Sequence, residues 1–448
     1  MKNTIVFICM IIVVASSMTC CYNDKESDVQ ELAMPPQDEQ EDVNSSKDDS
    51  AVVYMLPVTK SVNLSNEQRA KVERINEFSF KFYCELTNDS LYGGRSNIVS
   101  PPGLSFVLTM LLNGAMGQTA AEITDVLGLD GDLKSDNELF RILIDELPVV
   151  DDAVSLKIAN MVAFDEKVEL EEMFRQNMTA YFSATTPQLQ FENVHTSTDF
   201  INDWCSKQTE GMIPHIVNEQ EISGNTLLAV LNAISFKATW TDKFDPRNTY
   251  EEDFLTGSEV CRTPMMHQRI EARYASNEMY SMVELPFGSG DKWSMKVLLP
   301  HEGMGIADII SRLCPSVWLA DCQQLRPHIV DLALPRYKTV TELELNGIVS
   351  RMGAETMFQP ATADFSLLTR NYKKAGSNGL FVSLLKQMSA AEVSEEGTQL
   401  AASSIADVVL GAQPVSEHAE FFANRPFVYV VEESSSGIIF FIGTFSGK

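Results

Sequence analysis

Six histidines (His195, His215, His267, His301, His328 and His418) are the chain's whole supply of imidazole. A pair on one helix face can hold zinc, and one beside a serine or cysteine can act as a base. No metal-ligand spacing occurs among them, and the chain has no HExxH, no GxSxG and no GxxxxGK[ST]. The glycine-rich "FGSGDKW" lies between two strand patterns and leads into no helix, so it reads as a turn rather than a phosphate cradle. Cys84, Cys205, Cys261, Cys314 and Cys322 form no CxxC pair and are odd in number. They read as small buried hydrophobes rather than a disulfide frame. No metal and no cofactor is expected. Only a nucleophile and base distant in sequence would make an enzyme, and that reading is disfavoured.

One stretch has an unusual chemistry of its own, "SEEGTQLAASSIADVVLGAQPVSEHAEFFANRPF", residues 394–427. Gly397 to Ala406 is mostly small and has neither helical stripe nor alternation. It runs into an apolar patch, Val408 to Ala412. No Arg or Lys lies between Gly397 and Asn424.

The elements that must hold this stretch are legible in outline. The 448 residues are 44% hydrophobic and 21% charged, the composition of a globular protein with a large core. A net charge of −28 disfavours nucleic acid and anionic lipid surfaces as partners. Leu64 to Leu86 reads as a helix capped by Ser65. A second helix follows Pro101-Pro102, apolar nearly all round from Phe106 to Leu112 and ended by Gly114 and Gly117. Thr119 and Glu122 predict a capping box on a third. Strands are expected at "LKIANMVAFDE", at "LLAVLNAISFKATW" (central, buried on both faces), at "MVELPF", "WSMKVLLP" and "HIVDLALPRYK", and as a hairpin in "FVYVVEESSSGIIFFIGTF" turning at Ser434 to Gly437. The fold class is α+β with large, mostly antiparallel sheets.

The N-terminus reads as separate from this body. Lys2, the apolar run Ile5 to Ala15 and the small residues after it form a secretory signal, short of the ~20 residues a spanning helix needs. Cys20-Cys21 after "SSMT" resembles a bacterial lipoprotein cleavage site, with Cys21 (alternatively Cys20) as the lipidated residue. From Tyr22 to Ser50 the chain is acidic and poor in aromatics, a composition that reads as a disordered tether. The expected organisation is a signal over 1–20, a tether over 21–55 and a folded domain over 60–448.

Several motifs in order resemble one family, the serpins. They are "SNIVSPPGLSFVLTMLLNGAMGQTAAEI", "INDWCSKQTEGMI", "LNAISFKATW", "TPMMHQ", "VELPF", "MKVLLP", the hinge-like "SEEGTQLAASS" and the closing "FFANRPFVYVV". The resemblance runs from about Leu64 to Lys448. It implies three β-sheets, eight or nine helices and an exposed reactive loop within 394–424. It implies a suicide inhibitor: a protease cuts the loop, which inserts into the largest sheet and drags the covalently bound protease with it. The implied hinge is Glu395, Glu396, Gly397, Thr398, Leu400, Ala401 and Ala402. Glu395 matches a position that pairs with Arg336, Trp240 the tryptophan where insertion begins, and Ser100, Asn232 and Gln387 the polar cluster where the sheet parts. The scissile bond falls at Gly411-Ala412 by one spacing, with Leu410 and Val415 as alternatives. The bait suits elastase-, subtilisin- or chymotrypsin-like proteases, or a papain-like cysteine protease. Leu400 stands where the family usually has Ala, which motivates the alternative of a non-inhibitory, ligand- or partner-binding relative that is only cut. The expected partners are a target protease and a lipid anchor on a bacterial membrane. The expected state is a monomer at the cell envelope or surface, secreted across the inner membrane.

Overall fold

The computed structural model describes residues 59–257, 259–372, 379–395 and 417–447. The first helix, Asn66–Asn88, opens with a capping box: Gln68 N donates to Ser65 Oγ at 3.2 Å and Ser65 N to Gln68 Oε1 at 2.9 Å. Pro101–Leu112 is buried on every side, as its uniform apolarity requires, and its Ser100 cap accepts from Gly103 N. It ends at Leu112, ahead of both expected glycines. Gly117 instead opens the next helix, Gly117–Leu127, from a left-handed φ of 56°. That helix lacks the expected capping box. Thr119 Oγ1 accepts from Asp364 N at 3.0 Å, and Glu122 accepts from Thr356 N at 2.8 Å and Thr356 Oγ1 at 2.6 Å. The 356–364 segment has taken both side chains that a local cap would use. Nine α-helices lie among the described residues.

Among the described residues the strands form a five-stranded and a nine-stranded sheet. The first is ordered Tyr337–Glu344, Leu384–Val393, Leu228–Ala238, Val154–Asp165, Gln188–Leu189. Leu228–Ala238 is central and buried, as expected, except for Lys237. The nine-stranded sheet has two lobes. One contains Asn97–Val99, Ile438–Phe445, Phe427–Glu433, Trp293–Pro300 and Tyr280–Phe287; the other contains Thr249–Leu255, Val260–Ser276, Arg326–Pro335 and Glu417–Phe422. They join where Arg273–Ser276 pairs with Ser281–Glu284. The three expected sheets are thus one sheet and two fused lobes, because the long Val260–Ser276 strand runs through both. "HIVDLALPRYK", expected as one strand, is two: the chain leaves the nine-stranded sheet at Pro335 and enters the five-stranded one at Tyr337. Arg336 sits at that crossing, its N–H donated to Pro264 O at 2.8 Å.

Alternation gives the five-stranded sheet two different faces. Val162, Phe164, Val230, Ile234 and Leu385 join the main core. Met161, Leu231, Met388 and Ala390 join a smaller core with Trp204 of helix Val194–Gln208 and Ile213, Ile216 and Val217 of the segment after it. The beginning of the described chain is fastened near one end of this sheet. Thr59 bridges Asp151, Asp151 Oδ2 accepts from Ser289 N at 2.8 Å, and Gly288 N donates to Thr239 O at 2.7 Å. All five described cysteines are free, and Cys205 is buried.

Candidate functional site at a parallel seam

Leu384–Val393 and Leu228–Ala238 lie side by side and parallel, from Leu384 opposite Ala229 to Ala391 opposite Phe236. Each has an antiparallel neighbour on its far side. The seam between them is the weaker ladder, since parallel pairing is slightly less stable per residue.

At its middle Gln387 faces Asn232, and both side chains are buried. Gln387 Nε2 donates to Ser100 O at 2.8 Å and to Asn232 Oδ1 at 2.9 Å, while Ser100 N donates to Gln387 Oε1 at 3.3 Å. Asn232 Nδ2 donates onward to Asn160 Oδ1 at 2.8 Å, and Asn160 Nδ2 to Phe182 O at 3.1 Å. A line of amides thus crosses three strands and ties them to the Ser100 turn. Its geometry needs glycine at 103: a Cβ there would lie 2.4 Å from Asn232 Oδ1 and 2.9 Å from Gln387 Nε2. Ser100, Asn232 and Gln387 are brought together as expected. Asn160 joins them, and its one sign in the sequence is a lone amide inside the apolar run of "LKIANMVAFD".

A second cluster pins the chain where it leaves the sheet. Trp240 Nε1 donates to Ser394 O at 2.8 Å, and the indole stacks on Phe287 at a centroid distance of 4.4 Å. Phe244 N donates to Glu395 O at 3.0 Å. Glu395 is buried, and its Oε1 accepts from Thr249 Oγ1 at 2.7 Å and from Arg336 Nη1 at 3.2 Å. Burial pushes this carboxyl's pKa up, but the Thr249 hydroxyl, a backbone N–H and Arg336 outweigh it and hold it below the ordinary range. The expected Arg336–Glu395 pair is formed. Thr249, which makes the shorter bond, gave no sign in the sequence. Glu396, Gly397, Thr398, Leu400, Ala401, Ala402, Leu410, Gly411, Ala412 and Val415 lie outside the described residues, as do Cys20 and Cys21.

A family model described as serpin (serine protease inhibitor) matches residues 73–447. Human Serpin B3 is 31% identical over 395 residues, covering 83% of this chain and 99% of its own. The chain belongs to the serpin family. Antichymotrypsin-2 of Bombyx mori is 28% identical over 374 residues, 83% of this serpin and 96% of the relative. Among solved structures, native protease nexin-1 with heparin matches with a TM-score of 0.75 at 24% identity, over 85% of this serpin and 100% of itself. The thermophilic serpin tengpin in its native state matches with a TM-score of 0.75 at 22% identity, over 88% and 100%. These two likenesses show the fold. The family is one of inhibitors rather than catalysts.

Proposed function

We propose that this serpin traps proteases by inserting its cut loop into the seam. One observation carries the reading: Leu384–Val393, the strand that leads into the small residues after Glu395, is paired directly and in parallel with Leu228–Ala238. A segment turning back from residue 395 would run antiparallel to both strands. It would replace one parallel ladder with two antiparallel ones, which is a gain in pairing. Gly397, Thr398, Ala401, Ala402, Ser403 and Ser404 are small enough to enter a packed interior. In the chemical step, the protease nucleophile attacks the carbonyl on the N-terminal side of the cut bond. The new amine leaves with a proton, and the acyl ester remains. Insertion then carries the ester away from the machinery that would hydrolyse it.

Val408 to Val415 suits proteases with an apolar specificity pocket, with Gly411-Ala412, Leu410 or Val415 at the cut. The test mixes the mature protein with pancreatic elastase, subtilisin and chymotrypsin. The expected product is an SDS-stable band of summed mass with at least one of them. A cleaved band alone with every protease would sink the inhibitor reading. Leu400 favours a second reading, a relative that is cut without trapping, because an inserted Leu must find room in the sheet. We further infer that the chain is secreted across the inner membrane and held at the envelope by lipid on Cys21 or Cys20, from the signal pattern and cysteine pair. Mass spectrometry of the mature N-terminus decides that; a free, unacylated terminus refutes it.

A further inference from the structure

Lys386 precedes Gln387 on its strand and therefore points to the opposite face of the sheet. Its side chain is fully buried, and its Nζ lies 2.5 Å from Glu221 Oε1 and 2.6 Å from Glu221 Oε2 and also pairs with Glu342. A buried ammonium persists only when paired. These two partners belong to opposite sides of the seam. Glu342 is on Tyr337–Glu344, which is hydrogen-bonded along Leu384–Val393 on the side away from the seam. Glu221 closes the short helical turn Glu219–Glu221, which leads into Leu228–Ala238 across the seam. Asn218 N holds the Glu221 carboxylate in place at 2.7 Å. The preceding segment is tied to helix Val194–Gln208 through Asn202, which accepts from Ile216 N and Val217 N and donates to Val217 O. Ile216 and Val217 share a buried cluster with Leu231 and Met388, one from each side of the seam.

A strand entering the seam moves its two edges apart by about 4.7 Å. The Lys386–Glu221 contact cannot span that gap, whereas Lys386 and Glu342 travel together. Opening therefore exchanges two carboxylates for one and never strands the ammonium. We propose that Lys386–Glu221 is an ionic latch across the seam that limits the rate of loop insertion, with Glu342 holding the lysine once the latch parts. This rests on insertion being the serpin's function.

The experiment separates the two. Thermolysin, which cuts before apolar residues and forms no acyl-enzyme, nicks the loop without being trapped. The rate at which heat resistance appears is then followed in wild type, Glu221→Gln, Lys386→Met and Glu342→Gln. Glu221→Gln and Lys386→Met should insert about tenfold faster, which is ~1.4 kcal/mol off the barrier. Glu342→Gln should insert more slowly, because opening then leaves the ammonium without a counter-charge. A substitution that merely loosens the fold would move both glutamate variants the same way. Same-direction changes, or rates within about twofold of wild type, overturn the latch while leaving insertion standing. A wild type that gains no heat resistance overturns insertion and the latch with it. Should Lys386→Met fail to fold, the two glutamine variants decide alone.

Discussion

Replacing Gln387 by alanine tests whether the amide line holds the native sheet together. The variant loses the donors to Ser100 O and Asn232 Oδ1, and the long bond from Ser100 N. Asn232 Oδ1 is then buried with no donor, at a cost of about 1–3 kcal/mol. Ser100 O keeps only the helical bond from Leu104 N at 3.3 Å, for a further ~1 kcal/mol. The void left by the side chain adds ~1 kcal/mol. The sum is ~3–5 kcal/mol. For a folded part of roughly 390 residues, unfolding entropy near 2.1 cal/mol/K per residue gives ~0.8 kcal/mol/K. The midpoint should therefore fall by about 4–6 °C in scanning calorimetry. Gln387→Leu refills the volume but orphans the same acceptors, so its midpoint should lie within about 2 °C of the alanine variant's. A fall below about 1 °C for alanine, or a leucine variant as stable as wild type, would refute the argument that unmet acceptors dominate.

Two further variants test the same geometry and the hinge. Glu395 has its pKa depressed in the fold, so its contribution is fully present above the unfolded value of about 4.3 and is lost as pH falls through the lower folded value. Glu395→Gln should lower stability near pH 7 by ~1 kcal/mol, with half-exposed Arg336 supplying the smaller share, and should flatten the acid limb of melting temperature against pH; parallel curves would contradict this. Leu400→Ala should lower the number of serpin molecules consumed per protease trapped. An unchanged stoichiometry would show that Leu400 does not retard insertion.

The sequence disclosed elements better than neighbours. Uniform apolarity from Phe106 to Leu112 marked a buried helix, and the hairpin at Ser434 to Gly437 lay where its turn residues placed it. The seam itself was hidden. A period of two says which residues share a face, but not that residue 387 will meet residue 232. Thr119 and Glu122 had the spacing of a local cap and were claimed by residues more than two hundred positions away. At Arg336 the alternation runs on through a change of sheet, with Pro335 as the only hint. Lys386 reads as a solvated residue until the segment covering it is known. Residue identity foretold hydrogen-bonding capacity; tertiary structure decided who received it.

Thr59 is linked through Asp151, Ser289, Gly288 and Thr239 to Trp240, which holds Ser394. The first described residue and the end of Leu384–Val393 are therefore joined by one chain of contacts at one end of the five-stranded sheet. A pull on Thr59 would be felt at Ser394, where Leu384–Val393 leaves the sheet.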